Sequence, residues 1–174
     1  MKTLQEQLIQ YAEYHRDKRN IMTHFVGIPL IVLAVAILLS RPVVSVMGLS
    51  LTPALVVVII ASIYYLKLDR PLGIAMAVFL ALCLWIATLV AAQSTSTWLT
   101  GGIGLFVVGW IIQFIGHIYE RRKPAFFDDV IGLAIGPLFV TAELAFLLGM
   151  RAELQQQVEK VAGPTVIKGQ AEAS

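Results

Sequence analysis

Apolar residues run almost unbroken through five stretches separated by short polar breaks. A helix that crosses the hydrocarbon layer needs about 20 of them. Residues 21–40 satisfy this, with His24 in the opening turn and Pro29 near the start. Residues 51–66 form a shorter run with Pro53 in the first turn, where proline is tolerated. Residues 72–92 and 99–119 are long enough, and the latter carries Trp110, Gln113 and His117. Residues 130–150 come close, interrupted by Gly132, Gly136, Pro137 and Glu143. The polar opening segment behaves differently. Leu4, Leu8, Tyr11 and His15 recur at helical spacing, which predicts an amphipathic helix that lies in the membrane interface or covers a bundle. The pattern therefore predicts an all-α polytopic membrane helix bundle. A single membrane domain covers residues 1–150, and residues 151–174 form a partly disordered tail.

Composition agrees. Of 174 residues 58% are hydrophobic and 14% charged, against about 45–50% and 25% in soluble domains. Mean hydropathy is +0.81. A soluble globular enzyme, a disordered chain, a disulfide scaffold (Cys83 stands alone) and a nucleic-acid partner are all disfavoured. No cleavable signal peptide is expected, because residues 2–20 are polar. With five spans, nine basic residues fall on the N-terminal side and four on the other, which predicts a cytoplasmic N-terminus. If the fifth segment is broken or re-entrant, the tail returns and only Arg41 remains opposite.

Polar groups at membrane depth are costly and point to function. Trp110, Gln113, His117 and Glu120 lie on one stripe of the fourth segment. Gly102, Gly109 and Gly116 repeat every seven residues beside it and admit a close helix neighbour. Glu143 follows Gly136 by seven, so it points at protein and needs a metal, a histidine, an arginine or its own proton. His15 and His24 are nine apart, on opposite sides of an unbroken helix. They meet only if the chain turns between them, and residues 17–20 are suited to that turn, with Asn20 available as a helix cap. The topology then gathers His15, His24 and His117 at one membrane face, a set able to bind a transition metal. The plain alternative is that Trp110 and His117 anchor the interface, the glycines pack helices, and Glu143 is protonated.

The runs YHRDKRNIMTHFVGIP and GWIIQFIGHIYERRKPAFFDD, followed by Gly136, Pro137 and Glu143, resemble the small membrane family of iron(II)-dependent 2-hydroxy fatty acid dioxygenases of fatty-acid α-oxidation. The resemblance covers residues 4–149. It implies Fe(2+), molecular oxygen and a long-chain 2-hydroxy fatty acid, with an acid one carbon shorter and carbon dioxide as products. It implies His15, His24 and His117 as catalytic metal ligands, supported by Tyr14, Asn20, Gln113, Glu120 or Glu143. It also implies the bacterial inner membrane, or the endoplasmic reticulum in a eukaryote. Two other functions fit the composition: a non-enzymatic membrane protein for assembly or transport, and a haem-binding electron carrier using two of the histidines.

Overall fold

The computed structural model describes residues 2–46, 49–122 and 131–168, with the side chains of Val46 and Leu49 excepted. Seven helices follow in order among them: α1 (Leu4–Ala12), α2 (Lys18–Leu38), α3 (Pro53–Leu68), α4 (Arg70–Ala91), α5 (Thr95–Glu120), α6 (Ile131–Leu147) and α7 (Ala152–Ala162). Each of the five apolar stretches is a helix. Between α2 and α3 a two-stranded antiparallel ribbon, β1 (Val44–Val46) and β2 (Leu49–Leu51), stands where the sequence pattern suggested only a break.

Three helices are long and apolar enough to cross a membrane: α2, α4 and α5. α3, with 16 residues, is shorter. α6 and α7 together make a fourth candidate, bent by 116° at their junction. The bend has a local cause. Gly149 at φ 73° takes the left-handed conformation that glycine adopts without strain. There the Met150 and Gly149 amides donate to Ala145 and Phe146, closing the end of α6.

The chain forms two compact units, residues 29–110 and residues 1–28 with 111–174. In the first, Ala36, Ile37, Cys83 and Ala87 are buried, with Phe79, Trp98 and Leu105 packed on them. The Trp98 indole donates to the Ile37 carbonyl at 2.6 Å. A Cβ on Gly102 would stand 2.6 Å from Leu38, so the predicted close approach of a neighbour at this glycine is present. Arg41 closes the end of α4 by donating to the carbonyls of Ala91 and Gln93, a favourable place for a cation. Many large apolar side chains of α3 and α4 stay exposed, among them Ile60, Val78 and Trp85, as a lipid-facing surface requires.

In the second unit α1 covers α6 and α7. Its buried residues are Leu4, Gln7, Leu8, Tyr11 and Ala12, the predicted stripe. Thr3 and Glu6 form a capping box at its start. The described part of the tail, up to residue 168, is bonded to the corner before α2. Val166 bridges to Asp17 in parallel, its amide donating to Arg16 and its carbonyl accepting from Lys18. The chain thus returns to the end of α2 from which that helix starts. This geometry agrees with the alternative in which the fifth segment is broken.

Candidate metal centre

His15, His24 and His117 reach one place from three elements. α1 ends at Ala12, and the chain turns through Glu13–Asp17 before α2 begins at Lys18. The turn therefore precedes the stretch 17–20 to which the sequence assigned it. Asn20 does not cap α2, because it lies inside the helix; Asp17 accepts the Arg19 amide at 2.9 Å instead. The corner turns His15 back toward α2. His24 sits in the second turn of that helix, not its opening turn. His117 comes from the last turn of α5.

All three imidazoles are buried, and one nitrogen from each lies within 4.8 Å of the others. Ring centroids are 4.6, 5.1 and 5.1 Å apart, with planes nearly perpendicular. His15 Nδ1 contacts the Tyr11 carbonyl at 2.7 Å, and His24 Nδ1 the Asn20 carbonyl at 2.9 Å. A carbonyl accepts only, so both Nδ1 atoms carry the proton and both Nε2 lone pairs are free. His15 Nε2 and His117 Nδ1 are buried without a partner. Burial, reinforced by the nearby His24, pushes the His15 pKa well below the usual imidazole range, so the ring is neutral. Imidazoles with converging lone pairs, two of them steered by a backbone carbonyl, make a donor set that could hold a metal ion. The two buried orphan nitrogens fit such an ion, which would supply the partner they lack. The rings stand too close to lie on opposite faces of a porphyrin, which speaks against the haem carrier.

Several side chains hold this arrangement. Tyr11 stacks flat on His15, 4.1 Å between centroids and 3° between planes, and Phe139 of α6 packs on both rings. Gly136 leaves room for this, since a Cβ there would stand 2.9 Å from the Tyr11 hydroxyl. Glu120 is buried and ties α5 to the corner. Its Oε2 accepts from the Asp17 amide at 2.8 Å and from Asn20 Nδ2 at 3.0 Å, and its Oε1 from Lys168 at 2.5 Å. Hydrogen bonds from Arg19 hold the Asp17 carboxyl at about 2, so it stays charged. Gly116 sets the approach of α5 to α2: a Cβ would overlap Thr23 Oγ1 and stand 2.5 Å from Asn20 Oδ1. Gly116→Ala should therefore lower stability by about 1–3 kcal/mol and reduce metal retention. Thermal melts and metal analysis of the same preparation check both.

Glu143 does turn inward, but its partner is Arg16, at 3.1 Å. Arg16 also donates to the carbonyls of His15 and Gly163. Glu143 thus bears on the histidines through the corner and makes no bond to a ring. Tyr14 is half-buried, with the Arg122 guanidinium 4.9 Å above it. Trp110 is only partly buried and packs on Phe106, whereas Gln113, His117 and Glu120 of the same stripe are buried. Gln113 is buried with both polar side-chain atoms unpartnered. Most of the predicted loop at 120–129 lies outside the described residues. Tyr11, Asp17, Phe139 and Lys168 were not legible as site residues in the sequence, and Arg16 stood out only as one of several cations able to attract a carboxylate. Tyr11 was the most accessible of them, four residues before His15 on the same stripe.

A helical protein with apolar spans and a buried trio of converging histidines is the class these features define. The chain belongs to the Mpo1-like family: the family model described as "2-hydroxy-palmitic acid dioxygenase Mpo1-like" matches residues 1–148. It is 32% identical over 158 residues to the 2-hydroxy-palmitic acid dioxygenase MPO1 of Saccharomyces cerevisiae, covering 90% of this chain and 87% of the yeast protein. No solved structure matches.

Proposed function

We propose that this protein is an iron(II)-dependent dioxygenase of membrane lipids. It converts a long-chain 2-hydroxy fatty acid and molecular oxygen into the acid one carbon shorter, carbon dioxide and water. The observation that carries the proposal is the buried convergence of His15, His24 and His117, with two orphaned ring nitrogens, in a relative of an enzyme named for a 2-hydroxy acid. Imidazole suits ferrous iron. When bound, the iron would relieve the spin barrier to reaction of ground-state oxygen, while the acid itself gives up the electrons as its C1–C2 bond breaks.

The protein's own part is to bind, orient and exclude water. The carbonyls of Tyr11 and Asn20 fix the tautomers of His15 and His24, leaving Nε2 of each as a ligand. His117 contributes Nδ1, the atom left unpartnered. Held by three imidazoles, the ion would still be able to take the carboxylate and hydroxyl of the substrate. Tyr11 and Phe139 form an apolar wall at His15. The acyl chain, a membrane solute, lies among apolar helices while its head stays at their ends.

The test is to incubate purified, iron-loaded protein with 2-hydroxypalmitate in air and analyse the acids by mass spectrometry. The expected product is the 15-carbon acid, with none formed from palmitate. Absence of any acid shortened by one carbon, across chain lengths, would reject the proposal. We also place the N-terminus in the cytoplasm, on the excess of basic residues on that side. A cysteine at Lys2 should then label from the cytoplasm and one at Ser96 from the opposite face.

A further inference from the structure

Among the described residues, the buried side-chain polar atoms without a partner belong to four residues: His15, Asn20, Gln113 and His117. Two of these are histidine nitrogens with a ligand role already assigned, and Asn20 spends its amide on Glu120. Gln113 is different. It is 4% exposed, and neither its Oε1 nor its Nε2 has a partner. It stands inside a span, where no bulk water reaches and an unpaired carboxamide is expensive. It also lies four residues before His117, so it shares the buried face of α5 and sits one turn, about 6 Å, deeper. A donor and an acceptor left open together, one turn from three converging imidazoles, match a ligand that brings one of each.

We infer that Gln113 is a specificity-determining residue that reads the head of the substrate, its Nε2 donating to the carboxylate and its Oε1 accepting from the 2-hydroxyl. This rests on the proposed 2-hydroxy fatty acid substrate and deepens it. A fatty acid without the hydroxyl offers an acceptor but no donor, so it leaves Oε1 unpaired. A site built to bond a hydroxyl rejects the analogue that lacks it, because its own buried group is then stranded. The carboxamide thus adds to the selectivity that two-armed chelation gives.

The two acids differ in one donor, so equilibrium binding of 2-hydroxypalmitate and of palmitate tests the inference. The protein is iron-loaded and kept anaerobic so that nothing turns over. Gln113→Met keeps the side-chain length and removes both polar atoms. Three results are expected together. The ligand-free variant melts no lower than wild type, since an unsatisfied group is replaced by an apolar one. Its iron content is unchanged. Its preference for 2-hydroxypalmitate over palmitate falls by about tenfold or more. An unchanged preference, an equal loss for both acids, or a lower melting midpoint would each overturn the inference, the last because it reveals a structural partner for Gln113. If wild type itself binds the two acids equally, the substrate proposal falls and this inference with it. If wild type discriminates and Gln113→Met does so equally, this inference alone fails.

Discussion

Replacing any one of His15, His24 and His117 by alanine should lower iron affinity by more than a hundredfold and remove turnover of 2-hydroxypalmitate. Loss of a single residue that merely orients a metal ligand costs about 10–100-fold, and here a ligand itself is lost from a set of three. His24→Ala and His117→Ala should leave helix content intact, because both rings sit on regular helices. His15→Ala should cost more in stability, since it also removes the ring on which Tyr11 and Phe139 pack. Iron titration, turnover and circular dichroism on the three variants separate these effects. Retention of activity in His117→Ala would show that the convergence is packing alone.

Arg16→Met should destabilise the protein by about 3–5 kcal/mol, the cost of leaving a buried carboxylate without its counter-charge. The side chains of Arg16 and Glu143 are 8% and 12% exposed, so solvent screens them little. Arg16 also joins His15, Gly163 and α6 in one network, so its loss frees the corner that carries the first ligand. Adding Glu143→Gln to Arg16→Met should recover part of the loss, since the stranded charge is then gone. Thermal melts of both single variants and the double variant form the cycle. Additive effects would show that the pair is not coupled.

Helical spacing was enough to read much of this molecule. The stripe of Leu4, Leu8, Tyr11 and His15 is the buried side of α1, and the five apolar stretches are helices. Topology alone brought the three histidines to one end of the bundle. What spacing does not encode is the partner across space. The inward turn of Glu143 followed from Gly136, yet Arg16 was one of several partners open to it. Asn20 looked like a cap because its residue type favours that role, but α2 starts three residues before it would allow. Its amide is worth more to the buried Glu120 carboxylate. Residues 151–174 read as a partly disordered tail because the end of the chain is small and polar, and residues 169–174 lie outside the described residues. Val166 makes backbone bonds to Arg16 and Lys18, and Lys168 pairs with Glu120, partners far away in the sequence that spacing does not reveal.

Metal analysis of anaerobically purified protein, alongside the variant in which His15, His24 and His117 are all alanine, tests the central proposal most directly. The account predicts iron in the wild type in near-stoichiometric amount, no Soret absorption, and no iron in the triple variant. Equal iron in both proteins, or active wild type free of metal, would contradict it.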